Sequence, residues 1–312
     1  MNDTMLSIII PYYKIDFFED TLKSLSLQTD KRFNVFIGND GSPDDPSALI
    51  EKYQNHFDLE YHKFDENLGK YSLIKQWERC IDLVPDTTWI QIIGDDDILE
   101  PTCVEAFYEN LDEINRSGSQ VVRYATRVID VSSDFLTDSF THPKTETSIN
   151  FFIRKLNGLT RSSLPEYVFK FESFKAVGLR DFPLAWHSDD ILVLEVSDFG
   201  NIYTINEANV LFRSSGINIS SKQDNNGPKA YASFAYYNHL ISLYSNRFDK
   251  NQLNLLLDNW ERAFYNIKSV PKFWIQFSSY YLSHGLVLRY TNFIGRSLKR
   301  TILHKLKNRS KK

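Results

Sequence analysis

Five short apolar runs, Leu6 to Pro11, Phe33 to Gly38, Leu59 to Lys63, Trp89 to Ile93 and Gln120 to Tyr124, are separated by amphipathic stretches of helical length. No other feature constrains the chain as tightly, because strand-length runs joined by helices form βαβ units around a mostly parallel sheet. Phe18, Leu22 and Leu25 fall at i, i+4 and i+7, and Leu73, Trp77, Cys80 and Ile81 repeat that spacing. Each connection is therefore expected to lay one apolar stripe on the sheet. Pro101 suits the first turn of the next helix, continued by Val104, Phe107, Tyr108 and Leu111. From about Val131 to Ser163 the chain is rich in Ser, Thr and Asp and has no period, which predicts a loop-dominated connection. Order resumes at EYVFKFESFKAVGLR, and from about Ala230 the pattern is helical and aromatic. The expected architecture is an α/β domain over residues 1–225, a Rossmann-like mostly parallel sheet flanked by helices, with a helical C-terminal extension over 226–312.

Composition narrows the setting. At 312 residues and 42% hydrophobic, the chain can bury a sizeable core in roughly two domain-sized units. Cys80 and Cys103 both fall in predicted helices, which argues against a disulfide framework and for a reducing, cytoplasmic location. Met1 to Ser7 is short and polar, and no window reaches about 18 apolar residues, so neither a leader nor a membrane span is expected. The net charge of -4 is unevenly spread: Arg262 to Lys312 holds 12 Lys and Arg and no acid, against 24 basic and 40 acidic residues before it. Arg289 to Lys312 combines nine cations with Phe293, Ile294, Leu298, Ile302, Leu303 and Leu306. Such a basic amphipathic tail suits an anionic membrane surface, each nearby cation adding about 1 kcal/mol. A solvated terminal helix docked on its own domain is the plainer reading, and charge alone would also admit nucleic acid.

In an open α/β sheet, ligands collect outside the carboxyl ends of the strands. Four such ends are polar here: PYYK (Pro11 to Lys14), GNDGSPDD (Gly38 to Asp45), ENLGK (Glu66 to Lys70) and GDDD (Gly94 to Asp97). The first three also read as a strand breaker, a common turn and a helix entry. GDDD is harder to explain away, because adjacent carboxylates repel by roughly 1 kcal/mol in water and several-fold more in a desolvated cleft. A divalent cation removes that cost, and hard oxygen ligands select Mg²⁺ or Mn²⁺. The competing reading is a solvated acidic turn before a helix whose dipole welcomes Asp.

SIIIPYYK, GNDGSPDD, ENLGK and WIQIIGDDDILEP, in this order and at these spacings, resemble the nucleotide-sugar domain of the family 2 inverting glycosyltransferases of GT-A fold. The resemblance is strong over about the first 125 residues and continues more weakly to about Ser221. It implies a nucleotide pocket lined by Pro11, Tyr13 and Asp40, with Asn39 standing where the family commonly has another Asp. It also implies that Lys70 contacts the pyrophosphate. The family's metal motif, commonly D-x-D-D, aligns Gly94 with the first Asp, Asp96 with the metal ligand and Asp97 with its neighbour, leaving Asp95 for the ribose. Strand alternation would instead pair Asp95 with Asp97. Both assignments of the triplet stand at this point.

The resemblance further implies a carboxylate base at the start of a late helix, to deprotonate the acceptor hydroxyl. WHSDDILVLEV supplies Asp189, with Asp190 as the alternate; Ser188 stands where Glu is common. Trp186 and His187 would line the acceptor site. Helix capping by Ser188 with two acids in the first turn explains the same residues without catalysis. VLFRSSGINISS resembles the family's strand followed by a basic residue near the phosphates, which makes Arg213 a donor-binding candidate. The expectation is thus a metal-dependent, inverting transfer from a nucleotide diphosphate sugar, a UDP-sugar, to a saccharide or lipid-linked glycan in surface or capsular polysaccharide assembly, with no nucleic acid as partner. A sugar-1-phosphate nucleotidylyltransferase shares a similar sheet, but no G-x-G-T-R-like loop follows the first strand. A non-catalytic nucleotide-sugar-binding module is the other alternative, and Gly94 and Ser188 keep it open.

Overall fold

The computed structural model describes residues 5–85, 87–216 and 226–309. The chain divides into two compact units, residues 1–223 and 224–312. The boundary expected at residue 225, and the part of the family resemblance from 217 to 221, lie outside the described residues.

In the first unit the order is β1 (Leu6–Tyr12), α1 (Phe18–Ser26), β2 (Phe33–Asn39), α2 (Ser47–Tyr53), β3 (Asp58–Lys63), α3 (Leu73–Ile81), β4 (Trp89–Ile92), β5 (Ile98–Leu99) and α4 (Cys103–Ser117). It continues with β6 (Val121–Ile129), β7 (Thr145–Thr147), α5 (Ser148–Leu156), β8 (Tyr167–Lys170), α6 (Phe171–Val177), α7 (Ser188–Val196) and β9 (Asn201–Arg213). The nine strands form one sheet, β3-β2-β1-β4-β8-β6-β9-β5, with β7 also on β9.

From β3 to β4 every pairing is parallel, as the βαβ pattern predicts. Beyond β4 the sheet is mixed: β8 runs antiparallel to both β4 and β6, β6 is parallel to β9, and β5 and β7 are antiparallel to β9. Side chains alternate across the sheet. Leu6, Ile8, Ile10 and Tyr12 join the core beneath α1 and α4, with Phe18, Leu22, Val104 and Phe107. Ile9 faces the opposite core, with Cys80, Phe151, Phe174, Leu192 and Val196. Both cysteines are buried as free thiols.

Two local expectations change. Pro101 lies just outside α4, which starts at Cys103 after the Thr102 cap and ends at Gly118, whose φ of 70° is the left-handed value that closes helices. The stretch predicted to be loop contains α5, where Thr147 caps the helix by accepting from the Asn150 N–H and Phe151 and Phe152 are buried. A single nine-residue amphipathic segment inside a Ser/Thr-rich run was too short to set a period.

The second unit holds α8 (Asn226–Tyr244), α9 (Lys250–Ile267), α10 (Pro271–Ser283) and α11 (Val287–Arg309). Its aromatic richness is packing: Trp260 stacks on Phe234 and on Tyr281, each at 5.8 Å, and Phe264 stacks on Phe277 at 4.1 Å. Glu261, the last acid of the chain, is buried and accepts from Tyr281 Oη (2.9 Å), Arg289 Nε (2.8 Å) and Arg296 Nη2 (2.6 Å). The first turns of the expected basic tail thus belong to the fold of this unit.

Candidate active site

The ends of β1, β2 and β4 and the chain entering α3 surround a cleft of about 450 Å³. Pro11, Tyr13, Asp40, Lys70 and Asp95, expected from separate motifs, all line it, together with Tyr12, Lys14, Asn67, Gly69, Leu73, Gln76 and Trp77. Leu73 and Trp77 were assigned by period to the core-facing stripe. In the structure Ile74, Cys80 and Ile81 take that role, and the pair one turn apart forms the cleft wall. An aromatic one turn into the helix after N-x-G-K was the available signal, and apolar periodicity masked it.

Asp40 builds part of the cleft itself. It is buried, accepts from the backbone N–H groups of Leu68 (2.7 Å) and Gly69 (2.9 Å), and forms an ion pair with Arg79. Burial pushes its carboxyl up, against those donors and the Arg79 charge. Arg79 in turn lies over the Phe64 ring at 3.9 Å. A Cβ at Gly69 would stand 2.5 Å from Asp40 Oδ2, so glycine there permits the clamp. Lys70 is held at its backbone by Asn67 Oδ1 (2.7 Å) while its side chain is exposed.

The three carboxylates of the GDDD turn separate. Asp95 Oδ2 accepts from the Tyr13 and Lys14 N–H groups at 2.8 and 2.7 Å, joining the ends of β4 and β1 at the cleft. Asp97 is buried; its Oδ2 accepts from the Gly94 N–H at 2.9 Å and its Oδ1 has no hydrogen-bond partner. A Cβ built on Gly94 would lie 2.9 Å from both Asp96 Oδ1 and Asp97 Oδ2. Those two carboxylates therefore converge over the glycine. Burial and the Asp97 charge push Asp96 up to about 7, and burial pushes Asp97 up to about 6. A convergent, partly desolvated pair with one orphaned oxygen fits a hard divalent cation. Among the described residues no group of three or more His, Cys, Asp or Glu could hold a metal, so the protein would offer a cation here two carboxylates at most.

Arg213 does not line the cleft. It is wholly buried, pairs with Asp20 at 2.9 Å, lies 4.4 Å from the Phe17 ring, and donates to the carbonyls of Asp96 (3.1 Å) and Asp130 (3.0 Å). Expected as a donor contact, it holds the backbone of the GDDD turn, with its guanidinium enclosed by α1 and the loop after β6.

The base candidates sit at the start of α7, which is buried nearly all round. His187 precedes the helix in the left-handed region (φ 71°), as do Leu184 (62°) and Ala185 (52°). That conformation costs about 1–2 kcal/mol for each non-glycine residue, so the fold holds this strap under strain. Its 3-10 turn, Pro183–Ala185, packs on α3, and Ser72 Oγ at the head of α3 donates to Asp181 Oδ2 at 2.9 Å. The acceptor candidates Trp186 and His187 lie edge to face at 5.6 Å. Ser188 is inside the helix, where its hydroxyl donates to the Arg180 carbonyl at 2.6 Å; the capping that the competing reading gave it does not form. Asp190 is buried and engaged by Lys155 and by His187 Nδ1 (2.9 Å), which hold its carboxyl well below the usual range despite burial. Burial and the Asp190 charge push half-buried Asp189 up to about 6.

The sequence profile of the family described as glycosyl transferase family 2 matches residues 7–175, more than half of the chain. An uncharacterized glycosyltransferase of Rickettsia conorii is 36% identical over 90 residues, a match spanning 26% of this chain and 15% of that protein. Among solved structures, S. aureus TarS 1-349 in complex with UDP-GlcNAc superposes with a TM-score of 0.63 at 16% identity, covering 83% of this chain and 72% of that one. TarS 1-349 in complex with UDP gives 0.60 at 14% identity, over 83% and 71%. At those identities the likeness is one of fold, the GT-A fold. The profile carries the assignment: this chain belongs to glycosyl transferase family 2.

Proposed function

We propose that the protein moves a sugar from a nucleotide diphosphate donor, a UDP-sugar, to a saccharide acceptor, with inversion and with a divalent cation. The observation that carries this is the single cleft in which Pro11, Tyr13, Asp40, Lys70 and Asp95 meet beside the convergent Asp96 and Asp97. TarS crystallised with UDP and with UDP-GlcNAc supports a UDP donor. Asp40 and Asp95 preorder the cleft through backbone N–H groups, and Trp77 and Tyr13 offer apolar faces to the nucleotide. Asp96 and Asp97 would hold Mn²⁺ or Mg²⁺, which supplies positive charge to the leaving diphosphate. Lys70 adds a cation on the same side. Asp189 takes the proton of the acceptor hydroxyl as its oxygen bonds to the anomeric carbon and the bond to the nucleoside diphosphate breaks. Asp190 is committed to Lys155 and His187, which leaves Asp189 as the base.

With Mn²⁺ and a panel of nucleotide sugars the protein is expected to release UDP, and Asp96→Asn should cut that release about 100-fold or more. Pyrophosphate formed instead from a sugar 1-phosphate and a nucleoside triphosphate would replace this reading with a nucleotidylyltransferase.

The acceptor reading extends to a surface or capsular glycan, lipid-linked and met at the cytoplasmic face of a membrane. Among the described residues no helix is long and apolar enough to cross one. Ile275, Leu282, Leu288 and Leu298 are exposed on the helical unit, alongside exposed Lys299 and Arg300. Because Arg289 and Arg296 are tied to Glu261, truncation should begin after Arg300. Loss of residues 301–312 is expected to reduce co-sedimentation with anionic vesicles several-fold, and unchanged binding would defeat the membrane contact.

A further inference from the structure

The packing of the helical unit leaves two recesses open, and they adjoin at Ser297 of α11, which lines both. The first, about 200 Å³, is walled by Asp258, Glu261 and Arg262 of α9 and by Arg296 and Arg300 of α11. The second, about 370 Å³, is walled by Trp274 of α10, Ile294 and Leu298 of α11, and Lys268. Its indole wall is fixed: Trp274 Nε1 donates to the Lys268 carbonyl at 2.7 Å, and the ring meets Phe264 edge to face at 4.7 Å. Leu298 is 59% exposed, an apolar side chain left in water beside that wall.

The first recess carries an excess of positive charge. Arg289 and Arg296 engage Glu261, and Arg289 also takes Asp258, so Arg262 and Arg300 have no acid of their own. The other described acid of this unit, Asp249, caps the first turn of α9, and no acid follows Glu261. Among the described residues Arg262 makes a single long hydrogen bond, to Asn259 Oδ1 at 3.5 Å, and Arg300 makes none, its guanidinium lying 5.6 Å from the Tyr265 ring. Lys268 Nζ covers the same ring at 3.5 Å, so the cations run past Tyr265 from the first recess to the second. Arg296 and Arg300 stand one turn apart on α11, a like-charge spacing that is unfavourable on a helix. A phosphate in the first recess relieves that repulsion and meets guanidinium groups whose forked N–H donors match its oxygens. A purely ionic ligand would leave the second recess in water, whereas an alkyl chain attached to the phosphate fills it.

We propose that α9, α10 and α11 form a site for one phosphate-bearing lipid, its phosphate on Arg262 and Arg300 and the start of its chain against Trp274, Ile294 and Leu298. The site lies before residue 301, so it goes beyond the membrane contact of the tail and does not rest on the transfer reading. The test uses the full chain and calorimetry with dihexanoyl phosphatidate, dihexanoyl phosphatidylcholine and glycerol 3-phosphate, the lipids kept monomeric. Wild type should bind phosphatidate about tenfold or more tightly than either of the others. Arg262→Gln with Arg300→Gln should weaken that binding about tenfold or more, and Leu298→Gln several-fold. Lys272→Gln with Lys299→Gln, which removes two cations of the same unit outside both recesses, should change it less than about twofold. All the substituted side chains are exposed, so melting temperatures should match wild type. Equal losses in the two double variants would reduce the site to diffuse surface charge and overturn it. Glycerol 3-phosphate bound as tightly as phosphatidate would remove the chain from the proposal, phosphatidylcholine bound as tightly would remove the phosphate, and either result overturns it, as does a wild-type chain that binds none of the three. Vesicle co-sedimentation reads the membrane contact and UDP release reads the transfer, so either of those can fail while this site stands.

Discussion

Asp189→Asn is expected to lower turnover by about 10²- to 10⁴-fold, the range that a positioned general base contributes, with little change in donor binding. Asparagine matches the shape of the carboxylate and removes only its capacity to take a proton. The pH profile gives a second readout. A base pushed up to about 6 works in its ionised form, so the wild-type rate should be full above that pH and fall as pH drops through it. Asp190→Asn would act differently. It breaks the contacts with Lys155 and His187 and leaves a cation unpaired, so its effect should appear in thermal stability as well as in rate. An Asp189→Asn enzyme with wild-type turnover would remove the residue from the chemistry.

Gly94→Ala is expected to weaken Mn²⁺-dependent UDP binding about 100-fold. The added methyl would stand 2.9 Å from an oxygen of Asp96 and 2.9 Å from an oxygen of Asp97, closer than carbon and oxygen pack. One carboxylate must swing away, and a displacement of about 1 Å in a positioned group costs about that factor. Calorimetric titration of UDP with and without Mn²⁺ checks it. Equal losses in both would show that the methyl disturbs the nucleotide pocket instead of the carboxylate pair. The missing acid at position 94 is thereby explained: the family's extra Asp would need a Cβ where this turn has two carboxylate oxygens.

The parallel half of the sheet was legible because its strands are continuous apolar runs at regular spacing, with the polar ends Pro11, Asp40, Lys70 and Asp95 falling at one edge by topology alone. The antiparallel half was not, because β5, β7 and β8 have two to four residues each and owe their form to pairing partners far along the chain. Side-chain orientation was the other limit. Trp77 belongs to the same apolar stripe whether it meets the core or a cleft. The family resemblance places Arg213 near the phosphates, and nothing in its sequence neighbours announces the contacts with Phe17 and Asp20 that bury it. Arg123 of β6 and Arg154 of α5 both reach Glu146, and nothing in their spacing announces that they meet.

The enclosure of Arg213 has a consequence for the order of assembly. Its bonds to Asp96 and Asp20 close loops of 117 and 193 residues. Loop-closure entropy makes such contacts late events, after local helices and neighbouring parallel strands have formed. The GDDD backbone therefore takes its final shape only when the last strand docks, and a partly synthesised chain carries its acidic triplet without the grip that sets it. Competence for the donor is a property of the completed sheet.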